Sequence, residues 1–398
     1  MDIGIDATPC FNRRGYGRVA LGLLGALSRT PGGHRYVCFA DGHSLDRHSL
    51  PEGLEVRRVS TGRAAVDSAR ASGHRSVKDV LSFMRAVRRE RFDAFFFPAS
   101  TYFFPIVNRT RKVVVIYDVT PERHPELCFP NRSSAAMWKL KSLLIRRQAD
   151  LVVTFSEYAR RSICERYPSY ERRIRLLPMG LGREFRPIAL SREARAELCH
   201  RYGLPADRPI ILYMGGLSPH KNLRTLLTAY ELMCRGKGTD AVLALCGEHE
   251  LDPFHSEYEV LRQRVAESRE LSAGVVFTGY VAEEDLPGVY AVATLLVLPS
   301  LDEGFGLTAL EAMACGVPAL VSRAGALPET TDGAAVLVDA SRPEELAEGM
   351  SRMLSDEHLR VQLREAGLKR AAGLSWDRSA EQLIALLEEL VGCGRPPT

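Results

Sequence analysis

The chain has no apolar run approaching the ~20 residues that a bilayer-spanning helix needs, which excludes an enzyme buried in the membrane through helices. Its opening residues, MDIGIDATP, contain no basic region leading into an apolar stretch, so no signal peptide is expected. Nine cysteines are scattered along the sequence, an odd number, and no two stand at zinc-ligand or C-x-x-C redox spacing. Several of them fall inside apolar strand or helix patterns, where cysteine behaves as a small buried hydrophobe. Nothing resembles a D-x-D metal-binding motif, and there is no repeat of 20–50 residues and no low-complexity segment. These absences set the expectation of a reduced, cytoplasmic enzyme without a resident metal or cofactor.

What is present is enough chain for two domains. At 398 residues each half can bury its own core, and 45% hydrophobic with 26% charged residues is the composition of a globular protein. The net charge of +4 conceals an asymmetry. Residues 1–190 hold 33 Lys and Arg against 18 Asp and Glu, a net of +15, and the remainder holds 20 against 31, a net of −11. The bases include Arg63, Arg70, Arg75, Lys78, Arg85, Arg88, Arg89 and Arg91, then Arg132, Lys139, Lys141, Arg146 and Arg147. A basic first half is expected to meet something anionic, unless these are simply solvated arginine-rich faces. No nucleic-acid motif or regular aromatic interleaving occurs, so nucleic acid is not expected. Peripheral contact with an anionic membrane, or an anionic lipid-linked acceptor, fits better.

Short apolar runs alternate with helical periodicity throughout, the pattern of βα units around parallel sheets. Strands are predicted at 3–5, 36–39, 94–97, 113–117, 151–154 and 174–177, and helices at 18–27, 77–89, 135–147 and 157–165. The pattern restarts after a polar, proline-bearing stretch around 182–190. Strands then fall near 210–214, 242–246, 275–278, 295–298, 319–321 and 335–338, with helices at 223–234, 258–271, 284–292, 307–314 and 344–354. The predicted architecture is α/β, with two doubly wound domains, 1–185 and 186–375, facing a cleft where ligands meet the carboxyl ends of the strands. An amphipathic helix, 376–392, follows and is expected to cross back to the N-terminal domain, and the tail after it is expected to be disordered.

The most specific segment is SLDEGFGLTALEAMACGVP, from Ser300 to Pro318. A buried strand ends in a loop bearing Gly304 and Gly306, and a helix begins near Leu307. Backbone N–H groups at a helix start form an anion site, and glycines let the main chain approach a phosphate closely. Glu303 lies in the loop and Glu311 about one turn into the helix. A carboxylate only accepts hydrogen bonds, so these two would bind hydroxyls and not the phosphate itself. A sugar and a ribose flanking a diphosphate satisfy both requirements. Taken singly, Glu311 could be a helix surface residue and Lys221 a solvated loop lysine.

The spacing Glu303…Glu311 within EGFGLTALE resembles the E-x(7)-E signature of the retaining glycosyltransferase family 4, which has the GT-B fold. The following SRAGALPE, the preceding VVFTGYVAEEDLPGVYAVATLLVLPS and the loop YMGGLSPHKN (Tyr213–Asn222) are similar to the same family. The resemblance is closest to its bacterial mannosyltransferase-like group. It implies that Glu303 holds donor-sugar hydroxyls and that the backbone of Gly304, Phe305, Gly306 and Leu307 holds sugar and phosphate oxygens. Glu311 would hold the ribose, Lys221 would neutralise the leaving diphosphate, and the base would lie near Tyr280. Where relatives often have arginine five residues before the lysine, this chain has Gly216, in the donor loop.

In the first half, Gly15 and Gly17 are expected in a loop that reaches the donor phosphate, with Arg18 opening a helix. Tyr117-Asp118 stands at a strand end where many relatives have His-Asp. Asp118 and His124 are candidates for orienting the acceptor, with a turn or cap role as the alternative for Asp118. The string Gly15-x-Gly17-x-x-Ala20 with Asp41 partly matches a dinucleotide fingerprint, although the glycines do not follow the strand directly.

The implied reaction moves a hexose or deoxyhexose from a UDP- or GDP-sugar to a glycan, lipid-linked or natural-product hydroxyl, with retention and without metal. A nucleotide-sugar epimerase, an NAD-dependent oxidoreductase and a non-enzymatic binding subunit are the alternatives.

Overall fold

The structure, a computed structural model, describes residues 1–66, 76–236, 238–248 and 256–392. Arg70, Arg75, Cys393 and the tail expected to be disordered lie outside these residues. The described chain forms thirteen strands: β1 (Asp2–Asp6), β2 (Arg35–Asp41), β3 (Glu55–Val59), β4 (Ala94–Phe97), β5 (Arg111–Val115), β6 (Leu151–Thr154), β7 (Ile174–Leu176), β8 (Ile210–Met214), β9 (Val242–Cys246), β10 (Val275–Gly279), β11 (Leu295–Leu298), β12 (Ala319–Ser322) and β13 (Ala335–Val338). Its helices of eight or more residues are α1 (Gly15–Arg29), α2 (Val77–Arg88), α3 (Arg132–Gln148), α4 (Glu157–Arg166), α5 (Arg192–Arg201), α6 (Leu223–Arg235), α7 (Tyr258–Glu267), α8 (Leu307–Ala314), α9 (Pro343–Ser355), α10 (Glu357–Ala372) and α11 (Trp376–Gly392).

Two compact units result. The first comprises residues 1–125, 129–180 and the chain from Leu374 onward; the second comprises Glu126–Cys128 and Leu181–Gly373. The sequence reading put the boundary after residue 185, five residues later. Each unit is built on one parallel sheet, ordered β3-β2-β1-β4-β5-β6-β7 in the first and β10-β9-β8-β11-β12-β13 in the second. The two orders are the same doubly wound arrangement, in which the direction of strand addition reverses at β1/β4 and at β8/β11.

The sequences of the central strands follow from this layering. A parallel sheet is covered on both faces, so its strands read as continuous apolar runs: AFFF in β4, LVVT in β6, IILYM in β8 and LLVL in β11, every residue buried. The edge strand β3, EVRRV, has three charged residues among five and one buried residue, which hides it from a search for apolar runs. In the first unit Phe83 and Val87 of α2, Ile145 of α3 and Ile163 of α4 pack in one core with Phe95, Phe97, Val114 and Val152 of the strands.

The C-terminal helix α11 packs on α1 within the first unit, burying Ala380, Leu383, Ile384 and Leu387. Its entry is fixed by Trp376, whose indole lies against two glycines: a Cβ would stand 2.3 Å from it at Gly22 and 2.2 Å at Gly180. Ser379 Oγ donates to Pro178 O at 2.6 Å and Gln382 Nε2 to Leu176 O at 3.2 Å, tying the helix to the end of β7.

Three local expectations are corrected. α1 begins at Gly15, not at Arg18, so Gly15 and Gly17 form its first turn and are not in the loop. Gly17 is glycine because a Cβ there would stand 1.8 Å from the carbonyl oxygen of Asn12. The segment 258–271 is not one helix: Ser268 takes an extended backbone and its side chain accepts from Leu271 N, starting a second short helix, Arg269–Gly274. Asp41 does not await a ribose, since it caps the turn 42–45, accepting from Ser44 N at 2.9 Å, Ser44 Oγ at 2.8 Å and Ala65 N at 3.0 Å.

Candidate active site

The candidate site of the second unit forms where its sheet reverses direction. β8 and β11 are neighbours, and the loop after each carries one half of an ion pair. After β8 the chain turns back on itself, with Tyr213 Oη donating to Gly216 O at 2.6 Å. It then makes the short turn Pro219–Lys221 and enters α6 through Asn222, which adopts a left-handed backbone with φ 60°. Asparagine tolerates that conformation, and its side chain also bridges two strand ends. Asn222 Nδ2 donates to Ala340 O at 2.6 Å and to Pro299 O at 3.2 Å, while Leu301 N donates to His220 O at 2.9 Å. The lysine loop is thereby stitched to the loop that follows β11.

Lys221 Nζ meets Glu303 Oε2 at 2.6 Å, their side chains 20% and 23% exposed. Ser300 Oγ donates to the same carboxylate oxygen at 3.2 Å. The backbone of Glu303 is held from the far side by Gly325: Ala326 N donates to Glu303 O at 2.8 Å, and a Cβ on Gly325 would stand 2.5 Å from Glu303 N. Gly325 has φ +66°, so both its conformation and its surroundings demand glycine. Gly306, with φ 89°, caps α8, and Phe305 O accepts from Thr330 Oγ1. The two loop glycines of the sequence thus do different things. Gly304 is buried within the loop, and Gly306 supplies the left-handed turn from which α8 starts.

Glu311 lies one turn further into α8 and is 1% exposed, so it is not a helix surface residue. Tyr290 Oη donates to Glu311 Oε2 at 2.8 Å, and the Tyr290 ring meets Phe185 edge-on at 6.1 Å. A carboxylate in this position also acts on its neighbour: burial, and then the nearby Glu311, push the Cys315 thiol up to about 12. Tyr280 follows the left-handed Gly279 at the end of β10 and is half-buried.

The structure therefore brings Lys221, Ser300, Glu303 and Gly325 together, and Glu311 stands buried in α8, the helix that follows this loop. Tyr290 and Gly325 went unassigned in the sequence although both lie in quoted segments; they act through contacts 21 and 22 residues away in the chain, which no local pattern reveals. Gly15, Gly17, Asp118 and His124 belong to the first unit. Asp118 Oδ1 accepts from Thr120 N at 2.9 Å, an Asx turn, and His124 stands between the short helices Thr120–Arg123 and Pro125–Cys128. Tyr117, where many relatives have histidine, is half-buried; its ring stacks on Phe155 at 5.5 Å and its hydroxyl donates to Pro98 O at 3.0 Å. Burial raises its ionisation well above the ordinary tyrosine range.

Residues 195–370 match the family model of glycosyl transferases group 1, and residues 13–185 match that of glycosyltransferase family 4. An O-antigen chain mannosyltransferase B of Escherichia coli is 31% identical over 278 residues, covering 69% of each chain. A D-inositol 3-phosphate glycosyltransferase of Corynebacterium jeikeium is 34% identical over 252 residues, 62% of this chain but only 59% of that protein's length. Among solved structures, the sucrose-phosphate synthase of Thermosynechococcus elongatus superposes with a TM-score of 0.77 at 22% identity, covering 99% of this chain and 100% of the other. An Anabaena protein, HepE, solved with UDP-glucose, gives 0.73 at 17% identity, covering 98% and 99%. The two parallel sheets form a GT-B fold, and the chain belongs to glycosyltransferase family 4, in its bacterial mannosyltransferase-like group.

Proposed function

We propose that this chain is a retaining hexosyltransferase that moves a sugar from a nucleoside-diphosphate donor held by its second unit to an acceptor hydroxyl. The observation that carries this reading is the Lys221–Glu303 pair at the β8/β11 reversal, with the buried Glu311 in the helix that follows. An ammonium has three N–H donors, so Lys221 can keep Glu303 and still donate to a diphosphate oxygen. Glu303, fixed through its backbone by Gly325, accepts from donor-sugar hydroxyls, and the N–H groups at the start of α8 face phosphate. Glu311 accepts from ribose hydroxyls with the lone pairs that Tyr290 leaves to it.

In the step itself the bond between the anomeric carbon and the diphosphate oxygen breaks, and the acceptor oxygen bonds to that carbon on the same face. The acceptor's proton passes to the departing diphosphate. Negative charge grows on that leaving group, where a fixed cation and backbone dipoles gain most. The scheme assigns no step to a metal. Asp118 and His124 are assigned to orienting the acceptor.

UDP and GDP are the favoured nucleotides. The HepE structures carry UDP and UDP-glucose, and the curated relatives include mannosyltransferases. The acceptor is a glycan or lipid-linked hydroxyl, and the +15 charge of residues 1–190 favours one that is anionic or presented at an anionic membrane. Among the described residues no helix is long and apolar enough to cross a membrane. The reported relatives are transferases and synthases, and none supports the epimerase, oxidoreductase or binding-subunit alternatives.

The test is thermal-shift titration with UDP, GDP, ADP, dTDP and NAD on the wild type, Lys221→Ala and Glu311→Ala. A ligand at 100 times its Kd stabilises by about 2.7 kcal/mol, so one nucleoside diphosphate should raise Tm in the wild type and in neither variant. A response to NAD alone, or the same response in all three proteins, overturns the reading.

A further inference from the structure

Of the twelve large apolar side chains exposed among the described residues, five lie on one layer of the first unit. The connections β3→β4, β4→β5, β5→β6 and β6→β7 all step the same way along the sheet, so right-handed crossovers put them on one face. The shared core confirms it: Phe83 of α2, Phe104 and Ile106 of the segment 98–110, Ile145 of α3 and Ile163 of α4 belong to one cluster. α1, stepping the other way, covers the opposite face with α11. The outer surface of the layer formed by α2, 98–110 and α3 carries Val77 and Leu81, Val107, and Met137 and Leu140, between 39% and 81% exposed.

The charges on this surface have one sign. On α2 the exposed stripe continues from Leu81 to Arg85 and Arg88, one helical turn apart each, with Lys78 beside Val77. On α3 Met137 and Leu140 are flanked by exposed Arg132, Lys139 and Arg147. α3 and the segment 98–110 contain no acidic residue, and the single acid of α2, Asp79, is buried and accepts from Gly62 N at 2.9 Å. Among the acids at the margins, Glu90 binds Arg35 and Arg57, Glu165 binds Arg123, and Glu122, partly buried, accepts from Ser142 Oγ of α3 and from Tyr167 Oη.

We propose that this surface docks on an anionic lipid bilayer, with Leu81, Val107, Met137 and Leu140 entering the interface and the flanking bases meeting the headgroups. Scattered exposed apolar side chains are ordinary, but five on one layer ringed by uncompensated bases are not. An acidic polymer or nucleic acid would engage the bases and gain nothing from the apolar side chains, whereas a lipid surface uses both. The inference rests on the proposed function for what such docking serves, namely access to an acceptor presented at the membrane.

The experiment is sedimentation with vesicles of phosphatidylcholine alone and with 30% phosphatidylglycerol, on the full chain and two variants, with UDP and GDP thermal shifts recorded on the same samples. The wild type should bind only the anionic vesicles and leave them as salt rises. Met137→Glu/Leu140→Glu, at exposed positions that leave the fold intact, should abolish binding. Lys139→Gln/Arg147→Gln should lower it about thirty-fold, about five-fold per base. The nucleotide shift should be the same in all three proteins. Equal binding to neutral vesicles, no binding, or undiminished binding by the Glu variant overturns the docking surface while leaving the donor site standing. So does concentration-dependent self-association of the wild type that the Glu variant loses, which would identify the occupant as a second copy. Loss of the nucleotide shift in the wild type would count instead against the proposed function.

Discussion

Removing the phenolic oxygen of Tyr290 isolates one hydrogen bond at the donor site. Tyr290 Oη reaches Glu311 Oε2 at 2.8 Å, both residues are buried, and the ring is held edge-on to Phe185 at 6.1 Å. Tyr290→Phe keeps the ring and that packing and opens no methyl-sized void. What is lost is a hydrogen bond to a carboxylate in a dry setting, which contributes about 1.5–3 kcal/mol. Urea unfolding of the second unit should report a loss in that range. A cycle with Glu311→Gln, which preserves shape, should return a coupling of about 1–2 kcal/mol. If Tyr290 also aims the carboxylate at the ribose, the same change weakens nucleoside-diphosphate binding about tenfold, the equivalent of 1.4 kcal/mol. Calorimetric titration supplies the discriminating control, because a 2′,3′-dideoxy nucleotide lacks the hydroxyls that Glu311 would bind and should lose nothing. A coupling below about 0.5 kcal/mol, or equal weakening of the dideoxy analogue, would refute the reasoning.

Three further outcomes follow from the same contacts. Gly325→Ala should lower stability by more than Gly306→Ala and should also lower turnover: its Cβ meets the Glu303 backbone at 2.5 Å, whereas at Gly306 it meets only the movable end of the Leu327 side chain at 2.6 Å. Paired unfolding and rate measurements decide this, and equal effects would deny Gly325 a role in placing Glu303. Lys221→Met should reduce turnover about 10²–10³-fold while changing stability by no more than about 1 kcal/mol, since the pair is partly solvated; a rate within tenfold of wild type would remove Lys221 from the leaving-group role. Burial pushes the thiols of Cys38 and Cys246 from 9.0 up to about 12. Between those values the unfolded chain releases protons that the folded chain keeps, so stability falls with rising pH, by up to about 1.4 kcal/mol per pH unit for each thiol. Cys246→Ala should flatten that slope in unfolding curves taken from pH 9 to 11.

How much could be read from the sequence follows from where each signal resides. Central strands were legible because two covered faces force continuous apolar runs, and β4, β6, β8, β9 and β11 have the bounds that the runs predict. β3 was not, because one edge and one face meet water and its sequence is EVRRV. The start of α1 was misplaced since glycine reads as loop, and only the nearness of the Asn12 carbonyl explains a glycine inside the helix. At the site, Glu303, Glu311 and Lys221 were legible as residue types with a spacing. The geometry that makes them a site was not. Tyr290 against Glu311, Gly325 behind Glu303 and Asn222 across two strand ends are tertiary contacts between segments whose own patterns say only strand, turn or helix.

The two units share one strand order, so topology alone cannot decide which of them holds the nucleotide. The proposed placement in the second unit rests on the side chains at its reversal. In the first unit β1 ends at Asp6, whose Oδ1 accepts from Thr8 N at 3.0 Å and Thr8 Oγ1 at 2.6 Å, closing a local turn. Its neighbour β4 runs out through Phe97, Pro98 and Ala99, with no charge to offer. In the second unit the corresponding strands, β8 and β11, end in loops that place a lysine and a glutamate 2.6 Å apart, followed by a helix start. A diphosphate needs a cation and free N–H donors, and a sugar needs acceptors. The described residues supply that set at the second reversal: Lys221 as the cation, the start of α8 as the N–H donors, and Glu303 and Glu311 as the acceptors.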